Sequence, residues 1–381
     1  MASKYGDTMT NKILLYADLH IGAPMVDAVN PLQKIVDIAI ERNVSHVISL
    51  GDDFDHEMTS PKHRKNFADQ LCRLLDAGIK VAVLPGNHSR RFEYDAYKIG
   101  IKILDSPGWD QWEGLNLGCL PHMNYALLSE KVPAYKDFDR EANQNIAALL
   151  DRMIDEETQL LESSISNLVL LHGVIGGAKL DNGMIPKGNG VTFTQAKLSM
   201  FHSYVRAGHY HLRQELTDNV GYVGSPSPVN IGERDTAKGV EIIEFDPSFT
   251  NGRKLEFVEI EAPKIYVVKT SWEDGKFYPD PLMGKSPEDY KDSFVKIQYK
   301  VSQTNSGSVN LAFLEELSKH TLLPAQVEPI IDMQIVTRAP EFREPMTHEK
   351  AVEVYWEHKD VPADRRAKLI ILRKEILEAS L

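Results

Sequence analysis

Short apolar runs alternate with helix-patterned segments in the first half of the chain, and this alternation constrains the fold most. Runs such as Ile13–Ala17, His46–Leu50 and Val81–Leu84 have the length of buried strands. The segments between them, for example Pro61–Leu75, repeat apolar residues at helical spacing. A strand–helix–strand order requires parallel strands. The pattern therefore predicts a layered α/β fold.

Metal-binding side chains follow these apolar runs in five places, with the sequences DLH, GDDFD, GNH, HG and GHYH. Because the carboxyl ends of parallel strands meet at one edge of a sheet, we expect the five clusters to converge there. The candidate metal ligands are Asp18, His20, Asp52, Asn87, His172, His209 and His211.

Mixed imidazole and carboxylate ligands suit Mn, Fe or Zn better than the all-oxygen sites that Ca and Mg prefer. Asp52 is the natural bridge between two ions, because its two oxygens can bind separately. Two ions roughly 3.5–4 Å apart can activate water and stabilise charge at phosphorus. Each cluster alone has a simpler explanation: GNH can be a turn and GHYH a strand with alternating polar residues. The ordered set is much more specific.

Other histidines carry no such pattern. We expect the residues His46, His56, His63, His122 and His202 to be structural or on the surface. For His122, which follows Cys119-Leu120-Pro121, a place at the border of the cleft is the alternative.

The ordered clusters resemble the calcineurin-like metallophosphoesterase family over roughly residues 12–245. The resemblance implies that Asp52 is shared by two metal ions. One ion would also bind Asp18, His20 and His211, and the other would also bind Asn87, His172 and His209. His88 would face the scissile phosphate as the catalytic residue, protonating the leaving oxygen or stabilising developing charge.

Two motifs make the chain similar to the SbcD-like nucleases, the group that contains the nuclease subunit of Mre–Rad complexes. They are GDDFD and the segment YVGSPSPVNIGE from Tyr222, in which a GSP turn is expected to precede a strand and an acidic residue. The resemblance implies a DNA nuclease with two divalent ions, Mn²⁺ or alternatively Mg²⁺. The sequence departs from the family pattern at Ser89, where the family usually has an acidic residue that would orient the preceding histidine.

The same resemblance predicts the domain organisation. We expect a metallophosphoesterase domain at 1–262, built as a β-sandwich flanked by helices, then a small α+β capping domain at 263–345. Residues 346–381 are expected to form helices that bind an SbcC/Rad-type ATPase. Alternatively, apolar residues such as Trp356, Ile370 and Ile376 pack on the chain's own core. A homodimer through helices near Pro61–Leu75 and Tyr94–Ile101 is also implied.

The net charge of −12 does not favour a protein that coats nucleic acid, yet it allows local phosphate binding. Candidate phosphate contacts are Lys62, His63, Arg64 and Lys65 after the second motif and Arg90 and Arg91 after GNH, unless these groups are merely solvated. The two cysteines have no metal or redox spacing, and no apolar run is long enough to cross a membrane. These features predict a soluble cytoplasmic protein.

Two other functions fit the sequence. One is a metallophosphatase or cyclic phosphodiesterase that acts on a small substrate. The other is a non-catalytic scaffold that binds metal, which the complete ligand set disfavours.

Overall fold

A computed structural model gives the fold of most of the chain. The residues that it describes are 11–56, 59–88, 100–123, 138–160, 166–180, 184, 191–249, 252–332, 347–359 and 361–379.

The described strands are numbered in chain order. They are β1 (Asn11–Tyr16), β2 (His46–Ser49), β3 (Lys80–Val83), β4 (Ile101–Ile103), β5 (Gly108–Trp112), β6 (Leu115–Leu120), β7 (Ser166–His172), β8 (Val174–Ile175), β9 (Thr192–Phe193), β10 (Tyr204–Gly208), β11 (Gln214–Glu215), β12 (Val220–Tyr222), β13 (Gly239–Phe245), β14 (Arg253–Glu259), β15 (Ile265–Glu273), β16 (Lys276–Tyr278), β17 (Phe294–Ser302) and β18 (Gln326–Asp332).

The described α-helices are α1 (Pro24–Val29), α2 (Pro31–Glu41), α3 (Pro61–Asp76), α4 (Phe138–Leu160), α5 (Gln195–Leu198), α6 (Phe313–Ser318), α7 (His348–His358) and α8 (Ala363–Ala379). Three 3₁₀ helices occupy Ile231–Glu233, Pro287–Tyr290 and Ser306–Ser308.

Two six-stranded sheets form the first part of the chain. The first sheet has the order β14-β13-β1-β2-β3-β4, in which β1 to β4 are parallel and β13 and β14 are antiparallel additions. The second sheet has the order β11-β12-β10-β7-β6-β5, with a parallel centre and antiparallel edges. β8 and β9 pair separately.

The buried side chains divide these sheets and helices into four layers. One face of the first sheet packs on α2 and α3, and one face of the second packs on α4 and α5. The third cluster joins the two sheets, because it contains Ile13 and Ile48 of the first and Leu117 and Leu170 of the second. A strand buried on both faces needs apolar residues throughout, which explains the continuous apolar runs. The predicted α/β sandwich flanked by helices is confirmed.

Helix boundaries follow local sequence signals. The Ser60 side chain accepts a hydrogen bond from the His63 backbone N–H at 3.3 Å and caps α3, with Pro61 at the first position. Asn30 precedes α2, but it adopts a left-handed conformation with φ of 45° and makes no side-chain cap. Asn30 adopts the left-handed conformation because it is also the C-cap of α1, and asparagine tolerates this conformation at the end of a helix.

The later strands form a four-stranded sheet with the order β16-β15-β17-β18. The chain divides into two compact units: Met1–Thr270 with Pro279–Gln298 and Leu311–Glu328, and Ser271–Tyr278 with Tyr299–Asn310 and Pro329–Leu381. The predicted domain boundaries at 262 and 345 remain predictions. Among the described helices, none combines the length and apolar character that a membrane span requires.

Several sequence expectations need correction. The pattern missed α1, β5 and β14, which lack a buried apolar run or are short. The GSP segment is followed by the 3₁₀ helix Ile231–Glu233 rather than by a strand. Within the expected helix Tyr94–Ile101, the residues 94–99 lie outside the described part of the chain, and Ile101 begins β4.

Candidate metal centre

The seven candidate ligands come together at the carboxyl ends of strands from both sheets. Those that follow β1, β2 and β3 come from the first sheet, and those on β7 and after β10 come from the second. The expectation of one sheet edge was therefore too simple. The strand ends of two packed sheets meet, because a chain of short parallel strands buries more apolar surface as a sandwich than as one wide sheet.

Unusual backbone conformations mark this place in the fold. Positive φ angles occur at Asp18 (54°), His20 (50°), Asp52 (55°) and His209 (104°). Each such residue costs about 1–3 kcal/mol, and the fold must compensate for that cost. Part of the compensation is a set of backbone hydrogen bonds: the N–H of Asp18 donates to the Gly51 carbonyl at 2.9 Å, and that of His20 donates to the Asp52 carbonyl at 2.9 Å. Strain concentrated at these residues is typical of functional sites.

Asp18, His20 and His211 form what we call the first metal group, in which one possible ligand atom from each lies within 4.8 Å of the others. Carboxylates support both histidines from behind. His20 Nδ1 lies 3.1 Å from an Asp55 oxygen, and His211 Nδ1 lies 2.9 Å from Glu233 Oε1. When Nδ1 donates to a carboxylate, Nε2 keeps its lone pair for a metal.

Asp52, His172 and His209 form the second metal group, again with ligand atoms within 4.8 Å of one another. His172 Nδ1 donates to the Leu50 carbonyl at 2.6 Å, which fixes the ring. Its Nε2 then lies 3.3 Å from Asp52 Oδ2 and 3.0 Å from Asn87 Oδ1. The same amide oxygen lies 2.9 Å from His209 Nδ1, so Asn87 completes the group.

The electrostatics of the second group favour one positive charge beside Asp52 and oppose a second. Burial opposes protonation of His172, but the Asp52 carboxylate outweighs burial and raises the pKa of this histidine to about 9. Burial and the neighbouring His172 charge lower the pKa of His209 to about 3. Lone pairs from a carboxylate, an amide and imidazoles converge here, and this donor set fits a divalent transition-metal ion.

His88 lies beside both groups. Its backbone N–H donates to Asp52 Oδ1 at 2.8 Å, and its Nδ1 donates to the Asp55 carbonyl oxygen at 2.8 Å. Its ring centroid is 5.0 Å from that of His20. The ring is thus held by backbone and carboxylate contacts that leave Nε2 for another partner.

Glycine is required where the strand ends approach most closely. A Cβ added to Gly86 would lie 2.1 Å from Asp52 Oδ1 and 2.6 Å from the Asp52 backbone nitrogen. No side chain fits there without moving the Asp52 carboxylate. The glycine of GNH therefore serves the metal centre through its lack of a side chain.

Sequence comparison agrees with this centre. The model of the family described as calcineurin-like phosphoesterase matches residues 11–212, which include every candidate ligand. The chain belongs to this family. Its members act on phosphoester bonds and use divalent metal ions.

A curated relative and two solved structures illustrate the similarity. The DNA double-strand break repair protein Mre11 of Sulfurisphaera tokodaii is 24% identical over 272 residues, which are 68% of this chain and 65% of that protein. The chain thus spans slightly less than two thirds of that relative. A dimetal phosphatase from Danio rerio aligns at 11% identity over 65% of this chain and 95% of its own, with a TM-score of 0.39. Yfce, a phosphoesterase from E. coli, aligns at 14% identity over 66% and 100%, with a TM-score of 0.30.

The candidate phosphate contacts are described only in part. Lys62 is exposed and Arg64 is half-buried in the first turn of α3, and Arg64 Nε donates to the Thr59 carbonyl at 3.2 Å. His63 of this turn and Asp55, which contacts His20, both lie 3.8 Å from the position that a Cβ on Gly22 would occupy. This turn therefore lies near the metal centre. The other two candidates, Arg90 and Arg91, lie outside the described residues, as does Ser89.

Sequence reasoning gave no role to three residues at this centre. Asp55 and Glu233 support the first group, and both stood in the motifs GDDFD and YVGSPSPVNIGE that the sequence had singled out. His122 was expected to be structural, but its ring lies 6.1 Å from that of His172 and 6.4 Å from that of His209. Its position after β6, which ends beside β7, was the signal available.

Proposed function

We propose that this chain is a two-metal-dependent DNA nuclease and acts as the nuclease subunit of an SbcCD-like DNA end-processing complex. The observation that carries the proposal is the contact between the two metal groups, in which the His209 backbone N–H donates to an Asp18 carboxylate oxygen at 2.9 Å, with His88 beside Asp52. Family membership supports phosphoester hydrolysis. The resemblance of GDDFD and the GSP segment, together with the Mre11 relative, supports DNA as the substrate.

In this proposal the first metal group and Asp52 hold one ion, and Asp52, Asn87, His172 and His209 hold the other. Bound divalent ions supply Lewis-acid activation of water and of the phosphoryl oxygens. The mixture of nitrogen and oxygen donors favours Mn²⁺, with Mg²⁺ as the weaker alternative. The left-handed backbone of Asp52 and its contact with the His88 N–H fix the orientation of the carboxylate.

His88 is the proposed catalytic residue. With Nδ1–H donated to the Asp55 carbonyl, Nε2 is the nitrogen that holds or transfers a proton at the leaving oxygen. The family resemblance expects an acidic residue at position 89 to orient this histidine. The Asp55 carbonyl supports the same orientation from a different part of the chain, so the serine there does not argue against the role.

We also propose that Lys62, Arg64, Arg90 and Arg91 contact DNA phosphates. Replacing such a cation weakens DNA binding and reduces its salt dependence, because fewer counterions are released. Lys62→Ala should therefore lower the slope of log K against log salt by about one unit. Lys254→Ala, at an exposed lysine on the edge strand β14, is the matched control.

The proposed partner is an SbcC/Rad-type ATPase that binds α7 and α8. Tyr355, Ile370, Ile371 and Leu372 are large apolar residues that are about half exposed or more in this segment. Three of them are consecutive and therefore point in different directions around α8 rather than forming one stripe. An Ile371→Glu variant should lose ATPase binding and keep hydrolysis of a small ester. Met200→Glu, at an exposed methionine elsewhere, is the control.

The proposed homodimer would use α3. The apolar residues Phe67, Leu71 and Leu74 of this helix are already buried in the chain's own core. A dimer formed through the remaining face would be polar and sensitive to salt. Light scattering at low and high ionic strength measures this directly.

The deciding experiment compares two substrates with Mn²⁺ present: linear duplex DNA and the small diester bis(4-nitrophenyl) phosphate. We expect cleavage of both, and loss of both in Asp52→Asn. His88→Ala should retain bound metal and lose DNA cleavage. If the protein hydrolyses the small ester but cleaves no DNA, either alone or with the ATPase present, the nuclease proposal is wrong. The second candidate function, a phosphatase or cyclic phosphodiesterase, would then take its place.

A further inference from the structure

We propose that Glu233 and Lys238 form a buried positioning pair that keeps the proton of His211 on Nδ1 and directs its Nε2 toward the first metal group. The inference rests on the ligand role proposed for His211. It adds two residues, one at the end of a 3₁₀ helix and one just before β13, that act on the metal through another side chain.

Both oxygens of the Glu233 carboxylate are surrounded by donors. Oε1 lies 2.9 Å from His211 Nδ1 and accepts from Asn230 Nδ2 at 2.6 Å. Oε2 accepts from Lys238 Nζ at 2.6 Å and from the Val229 backbone N–H at 3.2 Å. Glu233 itself is only 1% exposed, so these contacts replace its hydration.

This arrangement determines where the imidazole proton lies. An ammonium and a backbone N–H can only donate hydrogen bonds, so Oε2 of Glu233 is an acceptor. Oε1 likewise accepts from the Asn230 amide, which leaves no hydrogen on the carboxylate to give to the imidazole. The hydrogen shared with His211 therefore sits on Nδ1, so that in the neutral ring Nε2 carries the lone pair that a metal needs.

Lys238 is as buried as Glu233, at 1% exposure, and its Nζ lies close to both Glu233 and the backbone of His211. Its Nζ neutralises Glu233 and also lies 3.4 Å from the His211 carbonyl oxygen and 2.9 Å from Ser225 Oγ. A buried ion pair is often no more stabilising than an apolar pair of the same volume. The presence of both charges behind a metal ligand is therefore better explained by control of His211 than by stability.

The test uses metal-free protein and Mn²⁺ alone. Histidine ¹⁵N NMR of the wild type, at a pH high enough for the ring to be neutral, should show the hydrogen of His211 on Nδ1, with His211→Gln assigning the signal. Calorimetry should show that Glu233→Gln and Lys238→Met each weaken Mn²⁺ binding at one site by about 10–100-fold. The double variant Glu233→Gln/Lys238→Met removes both charges and keeps the test valid if a single variant does not fold.

Glu241→Gln is the matched control, because Glu241 is fully buried and paired with Arg206 at 3.0 Å in another part of the same sandwich. It should lower stability and leave Mn²⁺ affinity unchanged. Wild-type Mn²⁺ affinity in both Glu233→Gln and the double variant, or a neutral wild-type His211 ring with its hydrogen on Nε2, would overturn the proposal. Neither measurement uses DNA, so a failure of the nuclease assignment would not affect the result.

Discussion

Arg206→Met tests whether a buried charge cluster holds the two sheets together. Arg206 lies on β10 of the second sheet and is 1% exposed. Its Nε is 3.0 Å from Glu241 Oε2 on β13 of the first sheet, and its two terminal nitrogens donate to Glu215 at 2.7 and 2.8 Å. Methionine has a similar length and fills the space without charge, so the variant isolates the electrostatic loss.

The expected loss of stability depends on the contacts that each carboxylate keeps after the substitution. Glu215 is 41% exposed and regains water, so its lost pair contributes little. Glu241 is fully buried and keeps only Arg213, at 3.1 Å from its other oxygen. Removing one member of a buried pair costs about 3–5 kcal/mol, and the remaining arginine places the expected loss near the lower value, about 3 kcal/mol.

Urea unfolding with a chelator present measures this loss, followed by the fluorescence of Trp109 and Trp112 on β5 of the second sheet. The double variant Arg206→Met/Glu241→Met should recover most of the stability, since no charge is left buried alone. Equal stability of Arg206→Met and wild type, or a double variant as unstable as the sum of both singles, would refute the reasoning.

The pH dependence gives an independent check. Burial raises the pKa of Glu241 above its usual 4.5, although the Arg206 and Arg213 charges oppose this. A carboxyl whose folded pKa is raised destabilises the native state once pH exceeds its unfolded pKa, and the penalty falls on acidification. Without the Arg206 charge, the pKa of Glu241 rises further. The deficit of the variant should therefore shrink from about pH 8 to about pH 5.

Three further predictions concern other parts of the fold. Gly86→Ala should lose bound metal by elemental analysis, because its Cβ would meet Asp52 Oδ1 at 2.1 Å, whereas Gly307→Ala, with no atom within 4 Å, should retain it. Burial lowers the pKa of His46 below 6.5. As pH falls below 6.5, the unfolded chain therefore binds a proton before the folded chain does, and the free energy of unfolding decreases. His46→Gln should flatten this part of the dependence of stability on pH. Leu117→Ala, at a fully buried position between the sheets, should cost about 2–5 kcal/mol in urea unfolding, and a loss under about 1 kcal/mol would contradict the inter-sheet core.

Much of the fold could be predicted from the sequence, because the spacing of apolar residues along the chain indicates which residues are buried. The helix α3 begins at the predicted Pro61 and ends one residue beyond the predicted Leu75. β5 was not predicted, because its GWDQW sequence is half-buried at an edge and has no continuous apolar run. Edge strands are specified by the neighbour that they pair with, here β6, more than by their own composition.

The sequence by itself determined which residues could bind metal, since imidazole and carboxylate groups after apolar runs identify their own chemistry. Tertiary structure alone decided that strand ends from two sheets meet, because that pairing depends on how apolar faces far apart in the chain bury each other. It also decided that Asp55 and Glu233 stand behind His20 and His211. A hydrogen bond between side chains on separate elements leaves no periodic signal, so only the packed sandwich reveals it.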